Sequence, residues 1–172
     1  MMRIGSLLVL ALLVSSCGSS DQQAASPEAS ASAPAPAPAP QSTAPASFDV
    51  GEIKTAAEYL VEPRFANADT KRGRLIFLQC QACHAVDANG GHKVGPNLHN
   101  LFGQTAASKE GFRYSPALTE SGIVWTPKAL EEWLIRPSGF VPGNIMAFAG
   151  IRDEKDRTDL LAYVLVETSK TE

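Results

Sequence analysis

A single small all-α domain is the fold class that this sequence predicts, and three observations predict it. Helical segments can be read from caps at Asp69 or Thr70 and at Thr126-Pro127 and from the apolar stripe of Asp153 to Thr168, with no strand–helix–strand alternation around the chemistry-bearing residues. The run Cys80-Gln81-Ala82-Cys83-His84 is the pattern for covalent attachment of a c-type haem, in which two thiols become thioethers on the vinyl groups. The adjoining imidazole then lies close enough to the iron to be an axial ligand. Once the leader is set aside, one methionine remains, Met146, so a thioether is available by elimination as the second axial ligand.

The elements follow in order. Arg3 precedes an apolar run from Ile4 to Val14, far short of the ~20 residues of a membrane span, so residues 1–16 read as an export signal. The run closes on Val14-Ser15-Ser16-Cys17, which resembles a bacterial lipobox and makes Cys17 the lipidated first residue of the mature chain. An uncleaved apolar anchor or an ordinary secretory signal are the other readings. Cysteine bookkeeping agrees with lipidation: of three cysteines, two serve the haem and one the lipid, and no disulfide is expected.

Residues 17–47 read as a lipid-anchored linker, almost wholly Ala, Ser, Pro, Gln and Gly, with an Ala-Pro repeat over residues 33–40. Such a composition builds no core. Its alternating proline favours extended polyproline II, a semi-rigid tether of about 3 Å per residue, up to ~90 Å in all. Residues 48–68 form a short lead-in segment with a short helix around Thr55 to Val61 ended by Glu62-Pro63, and no function is assigned to it.

Residues 69–172 form the domain proper. Its first helix runs to about Cys80, with Leu75, Ile76 and Leu78 as apolar positions and Gly73 and Phe77 sharing one face. Gly95-Pro96 opens a loop region. Thr126-Pro127 starts a helix over Lys128 to Ile135, which Arg136-Pro137 stops. Asp153 to Thr168 is the clearest helix, with Leu160, Leu161, Val164 and Leu165 in one apolar stripe and charges opposite.

Charge excludes one class of partner. The chain carries a net −3, and removal of residues 1–16 takes away one basic side chain, Arg3, and no acidic one. Nucleic-acid binding is not expected on that balance. Zinc chelation by the Cys-x-x-Cys pair would need a second pair of ligands, for which only histidines 84, 92 and 99 remain, and these last two read as ordinary surface residues. A thioredoxin-like redox pair lacks its βαβ setting.

Six motifs now stand together: Cys80-x-x-Cys83-His84, Gly95-Pro96-Asn97-Leu98-His99, Gly111-Phe112-x-Tyr114, Trp125, Val141-Pro142-Gly143-x-x-Met146-x-Phe148-Ala149-Gly150 and Asp159-Leu160-Leu161-Ala162-Tyr163. With them the stretch from Gly73 to Val166 resembles class I cytochrome c of the mitochondrial and related bacterial type. The resemblance implies helices wrapped around one covalently attached haem c. It also implies His84 and Met146 as iron ligands, the Pro96 carbonyl on the other ring nitrogen of His84, and Tyr114 and Trp125 as donors to the haem propionates. Gly73 and Tyr163 match the crossing of the first and last helices, and Leu98, Leu101, Phe112, Leu134, Ile151 and Leu161 would line the pocket. Departures are Gln104 in place of an arginine near a propionate, Asn144 for a threonine, Leu118 for an asparagine, and Trp133 for a tyrosine that bonds the methionine sulfur.

The function this resemblance implies is one-electron carriage from a bc-type complex to a terminal oxidase, without catalysis. The location would be the bacterial cell envelope, with a lipid-anchored haem domain facing the periplasm. A fixed haem subunit of a larger oxidoreductase is a second reading, and a haem ligand sensor a third, which Met146 argues against. Where mitochondrial members ring the haem edge with lysines, this chain has Gln79, Ser138 and Ile145, with Phe140 beside them.

Overall fold

The computed structural model describes residues 51–170; the leader, Cys17 and the Ala-Pro tether lie outside the described residues. Six helices follow one another among the described residues: α1 Ala56–Leu60, α2 Thr70–Gln81, α3 Pro116–Thr119, α4 Pro127–Ile135, α5 Pro137–Phe140 and α6 Glu154–Thr168, with a 3-10 turn at Pro63–Phe65. Among the described residues the extended structure amounts to one isolated antiparallel bridge, Thr105 with Val124.

Local chemistry sets each start. Thr55 and Glu58 form a reciprocal capping box on α1. The Asp69 carboxylate accepts from the N–H groups of Lys71 and Arg72 at 2.9 and 3.2 Å, and these two bonds lower its pKa. Thr126 caps α4 with Pro127 in the first turn, where a missing N–H costs nothing, and Asp153 caps α6 through Asp156 N at 2.8 Å.

Packing narrows the sequence expectation for α2. Gly73, Ile76, Phe77 and Cys80 recur at helical spacing and turn inward, whereas Leu75 and Leu78 fall on the far side and are exposed. The α6 stripe also differs, because its charges are not all opposite: Arg157 and Asp159 are buried with Leu160, Leu161, Val164 and Leu165. The cause is the α2–α6 crossing. A Cβ on Gly73 would stand 2.1 Å from the Asp159 carbonyl oxygen, so the two backbones touch. Beside that contact the Phe77 and Tyr163 rings lie 5.3 Å apart, and the Asp159 carboxylate accepts from Asp69 N at 2.7 Å and from Lys155. Asp159 thus ties the cap of α2 to the middle of α6. Arg157 instead holds the incoming loop, donating to the carbonyls of Ile151 and Arg152.

The lead-in packs onto the same core. Tyr59 and Phe65 are buried, the Tyr59 ring lies 6.4 Å from Phe102, and Arg64 pairs with Glu131 on α4 at 2.6 Å. After Ile135 the chain breaks at Arg136 and restarts at once as α5, because Pro137 both ends α4 and suits a first helical turn. Among the described residues no helix is long and apolar enough to cross a membrane.

Gly73→Ala should lower unfolding free energy by on the order of 3 kcal/mol, since the added methyl runs into the Asp159 backbone and the Tyr163 Cβ, neither of which can swing aside. Guanidinium denaturation of the haem-loaded protein measures it, and a loss under about 0.5 kcal/mol would mean that the crossing is not a close one.

Candidate functional site

Between α2 and α3 lies a long stretch without regular structure, and the residues with chemistry are gathered where it begins. Cys80 is the penultimate residue of α2, and the N–H groups of Cys83 and His84 both return to its carbonyl at 3.0 and 2.9 Å. That tight turn puts two thiols and an imidazole on one helix end. Burial pushes the Cys80 thiol up to about 11, which disfavours its thiolate.

His84 is fixed from two sides. Its Nδ1 lies 2.7 Å from the Pro96 carbonyl oxygen, which makes Nδ1 the N–H donor and leaves Nε2 with a free lone pair. Burial lowers its pKa, with the Pro96 bond acting in the opposite sense, so the ring is neutral and able to ligate a metal. A Cβ on Gly95 would come within 2.4 Å of the ring, which is why glycine precedes this proline.

Asn97 holds the rest of the turn. Its side chain donates to the carbonyls of Asp87 and Gly90 and accepts from His99 N at 2.6 Å. His92 is exposed yet bonded at both ring nitrogens: Nδ1 accepts from Asn97 N at 3.0 Å, leaving Nε2 to donate to the Glu110 carbonyl at 2.8 Å. His99 is half-buried, and its Nδ1 has no partner among the described residues. His92 is on the surface, as the sequence suggests, though held at both nitrogens, whereas His99 departs from that expectation by being half-buried.

Met146 comes from the loop after α5. Asn144 brackets that loop, its amide donating to the carbonyls of Pro137 at 2.9 Å and Val141 at 2.8 Å while its oxygen accepts from Met146 N at 2.9 Å. The loop then returns to α4 through Ile151 N to Leu134 O at 2.7 Å. Gly150 makes the return, with φ +96° and no room for a Cβ against Ile135 O.

These residues border one cavity of about 400 Å³, within the range of small-molecule sites. Cys80, Cys83, His84, Pro96, Tyr114, Trp125 and Met146 all line it. So do Leu98, Leu101, Phe112 and Leu134, whereas Ile151 and Leu161 do not. Leu160 and Val164 present the α6 face instead, because one residue on a helix is a rotation of about 100° and Leu161 lies on the neighbouring face. Trp133 is buried in the wall with its ring 5.6 Å from that of Trp125. Burial pushes the Tyr114 hydroxyl up, and the Lys109 backbone N–H pulls the other way.

The donor set fits haem c: two thiols on a helix end, a neutral imidazole oriented by a carbonyl, a thioether on a braced loop, and apolar walls between. Among the described residues no three His, Cys, Asp or Glu side chains converge as a metal chelate would require.

Comparison decides the family. The sequence profile of cytochrome c matches residues 70–166. The chain belongs to the cytochrome c family. It is 43% identical to cytochrome c of Gibberella zeae over 100 residues, which is 58% of this chain and 94% of that one. Cytochrome c of Chlamydomonas reinhardtii is 42% identical over 102 residues (59% and 91%), and cytochrome c2 of Blastochloris viridis 41% over 99 residues (58% and 78%). With the helices above, this is the all-α class I cytochrome c fold with covalently attached haem c, and the chain is an electron-carrying haem protein. The haem supplies a one-electron ferric/ferrous couple. The protein supplies attachment, orientation and a dry enclosure.

Two bracing residues had weak sequence signals. Asn144 stands out only as a departure from the threonine of mitochondrial members, although an asparagine two residues before a functional side chain is a familiar way to lock a turn. Asn97 was one letter in a motif.

Asn144→Ala should raise the affinity of the ferric protein for added imidazole about tenfold, the equivalent of the ~1.4 kcal/mol that lost loop bonds would release. Met146→Ala should go further, abolishing the far-red sulfur-to-iron band and lowering the reduction potential. Equal imidazole affinity in Asn144→Ala and the parent protein would show that Asn144 does not hold Met146 in place.

Proposed function

We propose that this cytochrome c is a membrane-tethered one-electron carrier of the bacterial envelope, taking electrons from a bc-type complex and passing them to a terminal oxidase. Cys80 and Cys83 bind the haem, His84 and Met146 ligate its iron, and Tyr114 and Trp125 donate to the propionates. The observation that carries the tethering is Val14-Ser15-Ser16-Cys17 followed directly by the Ala-Pro spacer and then by the haem domain. Two of the three cysteines border the haem cavity, which leaves Cys17 for a lipid. The haem domain then faces the periplasm on its leash.

The surface around the cavity supports an apolar mode of docking. Val94 and Ile145, both at the cavity wall, are 81% and 65% exposed, and Gln79 there is uncharged. Long-range charge steering from such a rim is weak. A tether replaces it by confinement, at an effective concentration that reaches roughly the millimolar range when its span fits.

Cys17→Ser should release the protein from membranes with its haem spectrum intact, and retention on membranes after that change would disprove the lipid anchor. A tail-less domain starting near Phe48 should exchange electrons with isolated membranes more slowly than the anchored form at equal amounts, with a shallow ionic-strength dependence. An equal rate, or a steep fall with salt, would remove the tether from the mechanism.

A further inference from the structure

We propose that Lys109 is the cation that pairs with a haem propionate, a role no charge at position 104 can fill; the proposal rests on the haem reading above. Lys109 is the one charged side chain among the described residues that line the cavity. It is half-buried. Its ammonium has three donors, and the described partner is a single neutral acceptor, the His99 carbonyl oxygen. No carboxylate among the described residues forms an ion pair with it, and burial lowers its pKa. The site is therefore a cation short of a counter-charge.

The haem brings that counter-charge. Its two propionates are carboxylates, and a carboxylate taken from water into an apolar crevice costs several kcal/mol unless it is paired and hydrogen-bonded. The uncharged donors of Gln104, Ser108, Tyr114 and Trp125 also border the cavity. The backbone gathers them: Trp125 N donates to Gln104 O at 2.9 Å, Gly103 N to Trp125 O at 2.8 Å, and the Tyr114 hydroxyl interacts with the Lys109 backbone. Away from this group the wall is mostly hydrocarbon. The propionate end of the haem belongs among these donors, with Lys109 as their one full charge.

A consequence for redox chemistry follows from sign alone. An unpaired propionate stabilises the more positive ferric state, and an ammonium beside it cancels that effect. Removing the ammonium therefore lowers the reduction potential.

The test uses the haem-loaded protein and the variants Lys109→Met and Lys109→Arg, titrated spectroelectrochemically, with proton NMR of the ferrous parent protein. The expected result is a potential lower than the parent's in Lys109→Met and close to the parent's in Lys109→Arg, the far-red band being present in all three. NMR should give nuclear Overhauser contacts between the Lys109 ε-methylene and propionate methylene protons. If Lys109 only braces the His99 carbonyl, Lys109→Met loses thermal stability but keeps its potential, and the proposal fails. Absence of the Overhauser contacts in the parent protein overturns it without any variant, whether or not Lys109→Met folds. A parent protein lacking the c-type spectrum or the far-red band would instead refute the underlying ligand reading.

Discussion

The hydrogen bond between His84 Nδ1 and the Pro96 carbonyl, at 2.7 Å, is the constraint on which the rest of the site depends. It selects the tautomer that leaves Nε2 free, and it fixes the plane of the ring relative to the end of α2. The bond has structural requirements of its own. Position 95 can hold nothing larger than glycine, because a Cβ there meets the imidazole, and the turn carrying Pro96 must be rigid. Asn97 provides that rigidity by spending its amide on two carbonyls of the preceding loop and its oxygen on His99 N. Gly95 N to Cys83 O, at 2.8 Å, closes the same turn back onto the attachment motif. A stretch without regular structure is thus ordered by bonds that converge on one ring.

The helical frame serves this arrangement by setting where α2 ends. Contact of Gly73 with the α6 backbone, with Asp159 reaching to Asp69 N, sets the depth and register of α2. Cys80 and the turn after it then project from a fixed point. The same α6 presents Leu160 and Val164 to the cavity from a neighbouring face. One crossing therefore fixes both the attachment end and part of the apolar wall, so a change at Gly73 would reach the cavity through α2 and α6.

What could be read from the sequence was whatever is local. Helix starts at Asp69, Thr126-Pro127 and Asp153 are set by side chains within one turn, and these three boundaries agree with the structure to within a residue. The Cys-x-x-Cys-His run is also local, and its meaning does not depend on packing. Burial was less legible, because it is decided by partners far away in the chain. Asp159 looks like a surface charge until Gly73 brings α2 against it, and Leu75 and Leu78 look like core until the crossing selects the other face. Leu160 and Leu161 differ by one helical step, which spacing alone does not resolve, and it is Leu160 that faces the cavity. Pro137 looks like a stop in the sequence, yet proline also suits a first helical turn, and it opens α5. The bracing by Asn97 and Asn144 needed loop geometry that no spacing rule supplies.

An electron carrier works best when its two oxidation states demand little movement of the protein, and the bracing of this site has that character. The ring nitrogen of His84 and the backbone of the Met146 loop are both held by bonds to backbone groups or to an amide side chain. None of these partners titrates near neutral pH, so none changes charge when the iron does. The apolar walls exclude the water that would otherwise reorient with each electron. On the proposed haem orientation, the charge of the propionates falls to the stretch of wall that carries Gln104, Ser108, Lys109 and Tyr114, with Trp125. On that reading the polar groups around His84 and the Met146 loop would set geometry while those at the propionate end would set potential, and this separation would let one part of the site vary without disturbing the other. Replacement of a charged residue by Gln104 is tolerable on that view, because a cation five residues away can take its place without moving either iron ligand.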